Sequence, residues 1–122
     1  METEPKENVI INLTFEFALK VIDFCDELDG LRKFALSNQL FKSGTSIGAN
    51  AREAQNAESK SDFIHKLSIS NKEAFETHYW IRILRDTNYI DSESANILLA
   101  NCEELLKMLT ASIKSSKQNP KR

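Results

Sequence analysis

Apolar residues recur every three or four positions along most of the chain, and this spacing predicts four amphipathic helices. The first is expected from about Thr14, a residue suited to an N-cap, to Asp29, with Gly30 as the stop just beyond. Phe17, Val21, Phe24 and Leu28 form one apolar face by their 4-3-4 spacing, and Phe15, Leu19 and Ile22 form a second, so both faces call for burial. A second helix is expected from about Leu31 to Ala57, with Leu36, Leu40, Ser43, Ile47, Ala51 and Ala54 as its inward stripe. The polar link Glu58-Ser59-Lys60 precedes a third helix, opened by Ser61-Asp62 and reaching about Asn88. Its stripe is Phe63, Leu67, Ser70, Ala74, Thr77, Ile81 and Leu84. Ile64 and Phe75 on one flank, with Ile69 and Trp80 on the other, make its apolar surface wider than one bundle seam requires. After Thr87-Asn88-Tyr89-Ile90, the pair Asp91-Ser92 caps a fourth helix running to about Lys117, with Ala95, Leu98, Cys102, Leu105, Leu109 and Ser112 inward.

Connections this short make sequential helices antiparallel neighbours, so the expected fold is all-α, an antiparallel up-down-up-down four-helix bundle. Three turn signals within about 100 residues argue against a single coiled-coil rod. The organisation expected is a flexible N-terminal tail over residues 1–12, the bundle over 13–117 and a basic C-terminal tail over 118–122. The two prolines, Pro5 and Pro120, fall in these tails, so nothing between them forces a break in a helix.

The second helix is thin at its middle. From Ser43 to Ala51 only Ile47 carries a large apolar side chain, and Gly44 and Gly48 sit one turn apart. Glycine destabilises a helix interior by roughly 1 kcal/mol relative to alanine, so the pair is expected to be offset by close packing of a neighbouring helix.

A chain of 122 residues with 41% hydrophobic and 28% charged residues fits one domain with one core. No apolar run approaches the roughly 20 residues that span a bilayer, and the acidic, polar start lacks the order of a secretion signal, so the expected location is the cytoplasm. Net charge is only -2. The end of the chain nevertheless holds Lys114, Lys117, Lys121 and Arg122 without an acid, either a solubilising tail or a contact for phosphate, and Lys42 or Arg52 on the outward edge of the second helix would join such a contact. Cys25 and Cys102 fall on apolar faces and read as buried thiols.

Reactive chemistry is scarce. A two-metal bundle site needs a Glu-x-x-His pattern from each of two helices, whereas this chain has Asp62-x-x-His65 once and His78 roughly 140° around the helix from His65. No metal or cofactor is expected, and neither a nucleophile constellation nor a phosphate loop can be specified. What remains is polar: Ser46, Asn50 and Glu53 on one edge of the second helix, Glu73 and Glu76 on one edge of the third. Folding the hairpin about residues 58–60 puts Ser46 level with Glu73 and Glu53 level with Lys66. These groups either set helix register and an inter-subunit contact or line a small cleft.

The segments Phe34-Ala-Leu-Ser-Asn-Gln-Leu40, Ser46-Ile-Gly-Ala-Asn-Ala-Arg-Glu-Ala54, Ser61-Asp-Phe-Ile-His-Lys-Leu67 and Lys72-Glu-Ala-Phe-Glu-Thr-His-Tyr-Trp80 resemble a bacterial four-helix bundle family that includes proteins encoded in intervening sequences of 23S ribosomal RNA genes. The resemblance covers about Val21 to Leu106 and highlights Ser46, Ile47, Asn50, Glu53, Ala54, Glu73, Glu76 and Thr77. It implies a homopentamer, and a related accessory protein of diversity-generating retroelements uses a positively charged pentamer to engage nucleic acid and a reverse transcriptase. This chain departs in charge, which weakens that implication because backbone binding depends on Lys and Arg. The resemblance supplies no catalytic residues. The leading expectation is a non-enzymatic, homo-oligomeric scaffold associated with RNA or DNA. A protein adaptor without nucleic acid comes second, and a small-ligand binder or enzyme using Glu73 and Glu76 third.

Overall fold

A computed structural model describes residues 5–118, with side chains from Val9 onward. Four helices follow one another: α1 (Pro5–Gly30), α2 (Phe34–Ala54), α3 (Lys60–Asp86) and α4 (Ser92–Gln118). The links 31–33, 55–59 and 87–91 are too short to cross the bundle, so each helix runs antiparallel to the one before it. α1 packs on α2, α2 on α3, α3 on α4, and α4 more sparsely back on α1, with no diagonal contact. The fold is the expected up-down-up-down four-helix bundle.

The inward stripes arise from the heptad-like spacing. Every residue of the stripe expected in α3, from Phe63 to Leu84, is buried, and so are the six expected in α4. In α2 the stripe is buried from Leu40 to Ala54, while Leu36 is only partly covered and Ser37 takes the inward place beside it.

The start of α1 differs from the sequence expectation. The helix begins at Pro5, so residues 5–12 of the expected tail are helical, and Ile10 is buried. Proline suits this position because the N–H it lacks would have no intrahelical partner anyway. Thr14 is therefore no cap. It is fully buried in mid-helix, its Oγ1 donating to the carbonyl of Ile10 at 2.7 Å, which satisfies the hydroxyl inside its own helix. Residues 1–4 and 119–122 of the expected tails lie outside the described residues.

Gly30 does not end α1 by a left-handed turn either. That conformation is taken by Arg32, at φ 61°. The N–H of Lys33 bonds the Leu28 carbonyl at 2.8 Å and that of Arg32 bonds Asp29 at 2.9 Å, the two-bond Schellman closure. α3 ends in the same way: Asn88 has φ 62°, Tyr89 bonds back to Leu84 and Asn88 to Arg85, both at 3.1 Å. α2 accordingly starts three residues later than expected. It stops at Ala54 because the N–H groups of Gln55 and Asn56 turn to carbonyls three residues back. Ser59, not Ser61, caps α3 by accepting from the Asp62 N–H at 3.0 Å, and the Asp91 carboxylate caps α4 by accepting from Ser94 N–H at 3.0 Å.

Small residues let the helices approach closely. A Cβ on Gly44 would lie 2.7 and 2.8 Å from the two methyl carbons of Val21, and one on Gly48 would lie 3.1 Å from Thr14 Oγ1. Each tightly packed pair also shares buried side-chain bonds to backbone: Cys25 with the Ser37 carbonyl and Ser37 with that of Cys25 (α1 and α2), Ser70 with Ile47 at 2.6 Å (α3 to α2), and Cys102 with Ala74 at 3.3 Å (α4 to α3). These bonds pin register, since a slip of one residue would leave a buried hydroxyl unpaired.

Candidate functional site

Among the polar residues singled out in α2 and α3, one side-chain contact joins the two helices. Glu53 and Lys66 meet at 3.5 Å, in the register anticipated from the hairpin. Both side chains reach solvent, so the pair stabilises little. Ser46 is not turned toward Glu73. Its Oγ donates to the carbonyl of Lys42 in its own helix, and Asn50 Nδ2 donates to the Ser46 carbonyl at 2.8 Å. Along α3, Thr77 donates to the Glu73 carbonyl at 2.7 Å. Glu73 is half-buried; burial holds its carboxyl above the ordinary range, the neighbouring Glu76 carboxylate adds to the rise and Lys72 opposes it. Glu76 is exposed. On the same flank the indole Nε1 of Trp80 is buried without a hydrogen-bond partner among the described residues.

The cations are dispersed. Lys42 and Arg52 are both exposed, but ten residues of helix put them about 80° apart around α2 and roughly 15 Å apart along it. Lys114 and Lys117 are exposed on α4, which does not touch α2. Antiparallel order nonetheless brings Arg52, Lys114 and Lys117 to the same end of the bundle, and none of the three forms an ion pair among the described residues. Lys121 and Arg122 lie outside the described residues.

Both cysteines are free and buried. Burial pushes the Cys102 thiol up to about 12, and burial likewise raises Cys25, against the bond from Ser37 and with added repulsion from Asp29 and Asp26. His78 pairs with Glu103 at 2.9 Å across α3 and α4 while His65 is exposed elsewhere on α3, and no cluster fit to hold a metal occurs among the described residues.

The second face of α1 stays uncovered: Phe15 is 64% exposed, and Leu19 and Ile22 are exposed beside it. α2 adds Phe34 and Phe41, 56% and 47% exposed, two residues that the sequence pattern did not single out. Their seven-residue spacing, off the core stripe, was the available signal. Ile22, Phe34 and Phe41 line one open groove of about 450 Å³ together with Asp26, Asp29 and Asn38. A smaller cleft of about 70 Å³ marks the loose seam of α1 with α4, between Phe17, Lys20, Asn101 and Leu105.

The helices and their contacts define a protein of the antiparallel four-helix bundle class. The family described as 23S rRNA-intervening sequence protein matches residues 6–111, and the chain belongs to that family. It is also similar to a solved structure, a protein of unknown function from the S23 ribosomal protein family of Bacteroides thetaiotaomicron VPI-5482, at 43% identity and a TM-score of 0.86 over 89% of this chain and 98% of that one. No curated protein matches it. Among the described residues, no helix is long and apolar enough to cross a membrane.

Proposed function

We propose that this chain is a cytoplasmic, non-enzymatic, homo-oligomeric helical scaffold, with five copies as the number its family resemblance implies, and that the assembly associates with RNA or DNA. The observation that carries the reading is the line of exposed large apolar residues on α1 and α2, Phe15, Leu19, Ile22, Phe34 and Phe41. Contiguous apolar surface of this kind is stabilised by being covered, and a second copy is always at hand. The family's 23S rRNA description and the S23 name of the similar protein favour nucleic acid as the associated molecule. The net charge of -2 confines any such contact to the cationic end with Arg52, Lys114 and Lys117, with Lys42 along the flank, and makes it tolerant of base sequence.

Sedimentation tests the first part: a multiple of 13.9 kDa is expected, and a monomer at micromolar concentration would overturn it. RNA and DNA affinity at two salt concentrations, for the full chain and a version ending at Ile113, tests the second. Removing one Lys or Arg that touches a phosphate should lower the salt slope by about 0.7 to 0.9. Undetectable binding at low salt leaves the protein-adaptor reading, which the acidic balance and the same apolar face favour.

A further inference from the structure

Two exposed apolar surfaces lie on opposite faces of the bundle, one bordered by Asp26 and Asp29, the other by Lys72 and Arg82. On one, α1 presents a single ridge, Phe15, Leu19, Ile22, Asp26 and Asp29, that is apolar in its first part and acidic in its second. Phe34 and Phe41 of α2 border the ridge, and Ile22, Asp26 and Asp29 share the open groove with them. Both aspartates are exposed and neither forms an ion pair among the described residues.

Across the bundle, α3 presents Lys72, Phe75, Tyr79 and Arg82 at spacings of three, four and three. Phe75 is 61% and Tyr79 58% exposed. Their neighbours Ala74 and His78 bond Cys102 and Glu103 of α4, which puts Phe75 toward the α3/α4 side, while the Tyr79 ring lies edge-on to that of Trp80. Lys72 and Arg82 are exposed and also form no ion pair among the described residues. Because α1 and α3 are diagonal and make no contact, the aromatic stripe of α3 cannot reach the α1/α2 groove of its own chain.

We infer that the occupant of the α1/α2 groove is the Lys72–Arg82 stripe of a second copy, an inference that rests on the homo-oligomeric reading and names its contact. Phe75 and Tyr79 cover Ile22, Phe34 and Phe41, while Arg82, at one end of the stripe, faces Asp26 and Asp29. The stripe is about 15 Å long and the α1 ridge about 21 Å, so one seats within the other. Aromatic residues with cations at their border are the residue types that dominate protein interfaces, and the acid-edged groove supplies the complementary charge. The two surfaces are different, so the contact is heterologous: an open assembly keeps one free groove and one free stripe at its ends until a ring closes.

Two variants test this, Phe41→Glu in the groove and Phe75→Glu in the stripe. Both side chains are exposed in the single chain, so circular dichroism should show unchanged helicity. By sedimentation each variant alone should run as a monomer, with association weakened about 30-fold or more, the size of an interface hot spot. Mixed in equal amounts, they should form a species of two chains, because the intact stripe of one meets the intact groove of the other. Arg82→Glu should weaken assembly, and adding Asp26→Arg and Asp29→Arg to it should recover part of the loss. Variants that both keep the wild-type size would overturn this contact while leaving the oligomer reading intact. So would dissociation by Phe41→Glu alone, which would mean that groove meets groove. A monomeric wild type would overturn both.

Discussion

The ammonium of Lys33 lies 4.7 Å from the centroid of the Tyr89 ring. Each residue directly follows a left-handed residue, Arg32 or Asn88, at the close of its helix. The two helix ends that make the same turn are thus joined to each other, which holds the α1/α2 corner against the α3/α4 corner. In a double-mutant cycle of Lys33→Ala and Tyr89→Ala, followed by chemical denaturation, a coupling of about 0.5 to 1 kcal/mol is expected.

Arg32 adopts a conformation that an L side chain resists. Arg32→Gly should therefore stabilise the protein by about 1 kcal/mol, and Asn88→Gly by less, because asparagine tolerates the left-handed region. Thermal melting of the two variants checks the order. An Arg32→Gly melting temperature below wild type would mean that its side chain contributes more than the strain removes.

Gly44 and Gly48 should respond differently to alanine. At Gly44 the new methyl would press on Val21, a stiff and fully buried side chain, and about 1 to 3 kcal/mol of overpacking outweighs the roughly 1 kcal/mol that alanine adds to a helix. At Gly48 the contact with Thr14 is looser, so alanine should be near neutral while Gly48→Leu destabilises. Val21→Ala combined with Gly44→Ala should lose less than the sum of the two single changes.

Glu73 makes stability fall as pH rises. Its carboxyl titrates above the ordinary 4.5 because burial and Glu76 disfavour its charge, so the folded state binds more protons than the unfolded one just above that value. The contribution is complete below pH 4.5 and is lost as pH climbs through the raised value. Glu73→Gln should be more stable than wild type at pH 7 and should flatten this part of a stability-versus-pH curve.

Cys102 should resist alkylation in the folded protein at pH 8, since its thiol, buried against the Ala74 carbonyl, titrates at about 12. Reaction at the rate of a free thiol would mean that α4 separates from α3 in the native state; mass spectrometry after timed exposure to iodoacetamide reads this directly.

The inward residues of α3 and α4, most of those of α2, and the antiparallel order are legible in the bare chain, because a 3.6-residue period and short polar links are local properties. The same locality brings Glu53 level with Lys66 once the hairpin is folded. Thr14 looks like a cap because a hydroxyl before an apolar run is ambiguous until the residues upstream are seen to pack. Arg32 carries no signal for a left-handed turn, since the closure depends on carbonyls of α1 and on the seating of Lys33 over Tyr89. Only the packed bundle decides that Ser70 reaches the Ile47 carbonyl, and that Phe34 and Phe41 join Ile22 in one groove. Each of these depends on how two helices sit against each other, and that is set by packing rather than by the period of either one.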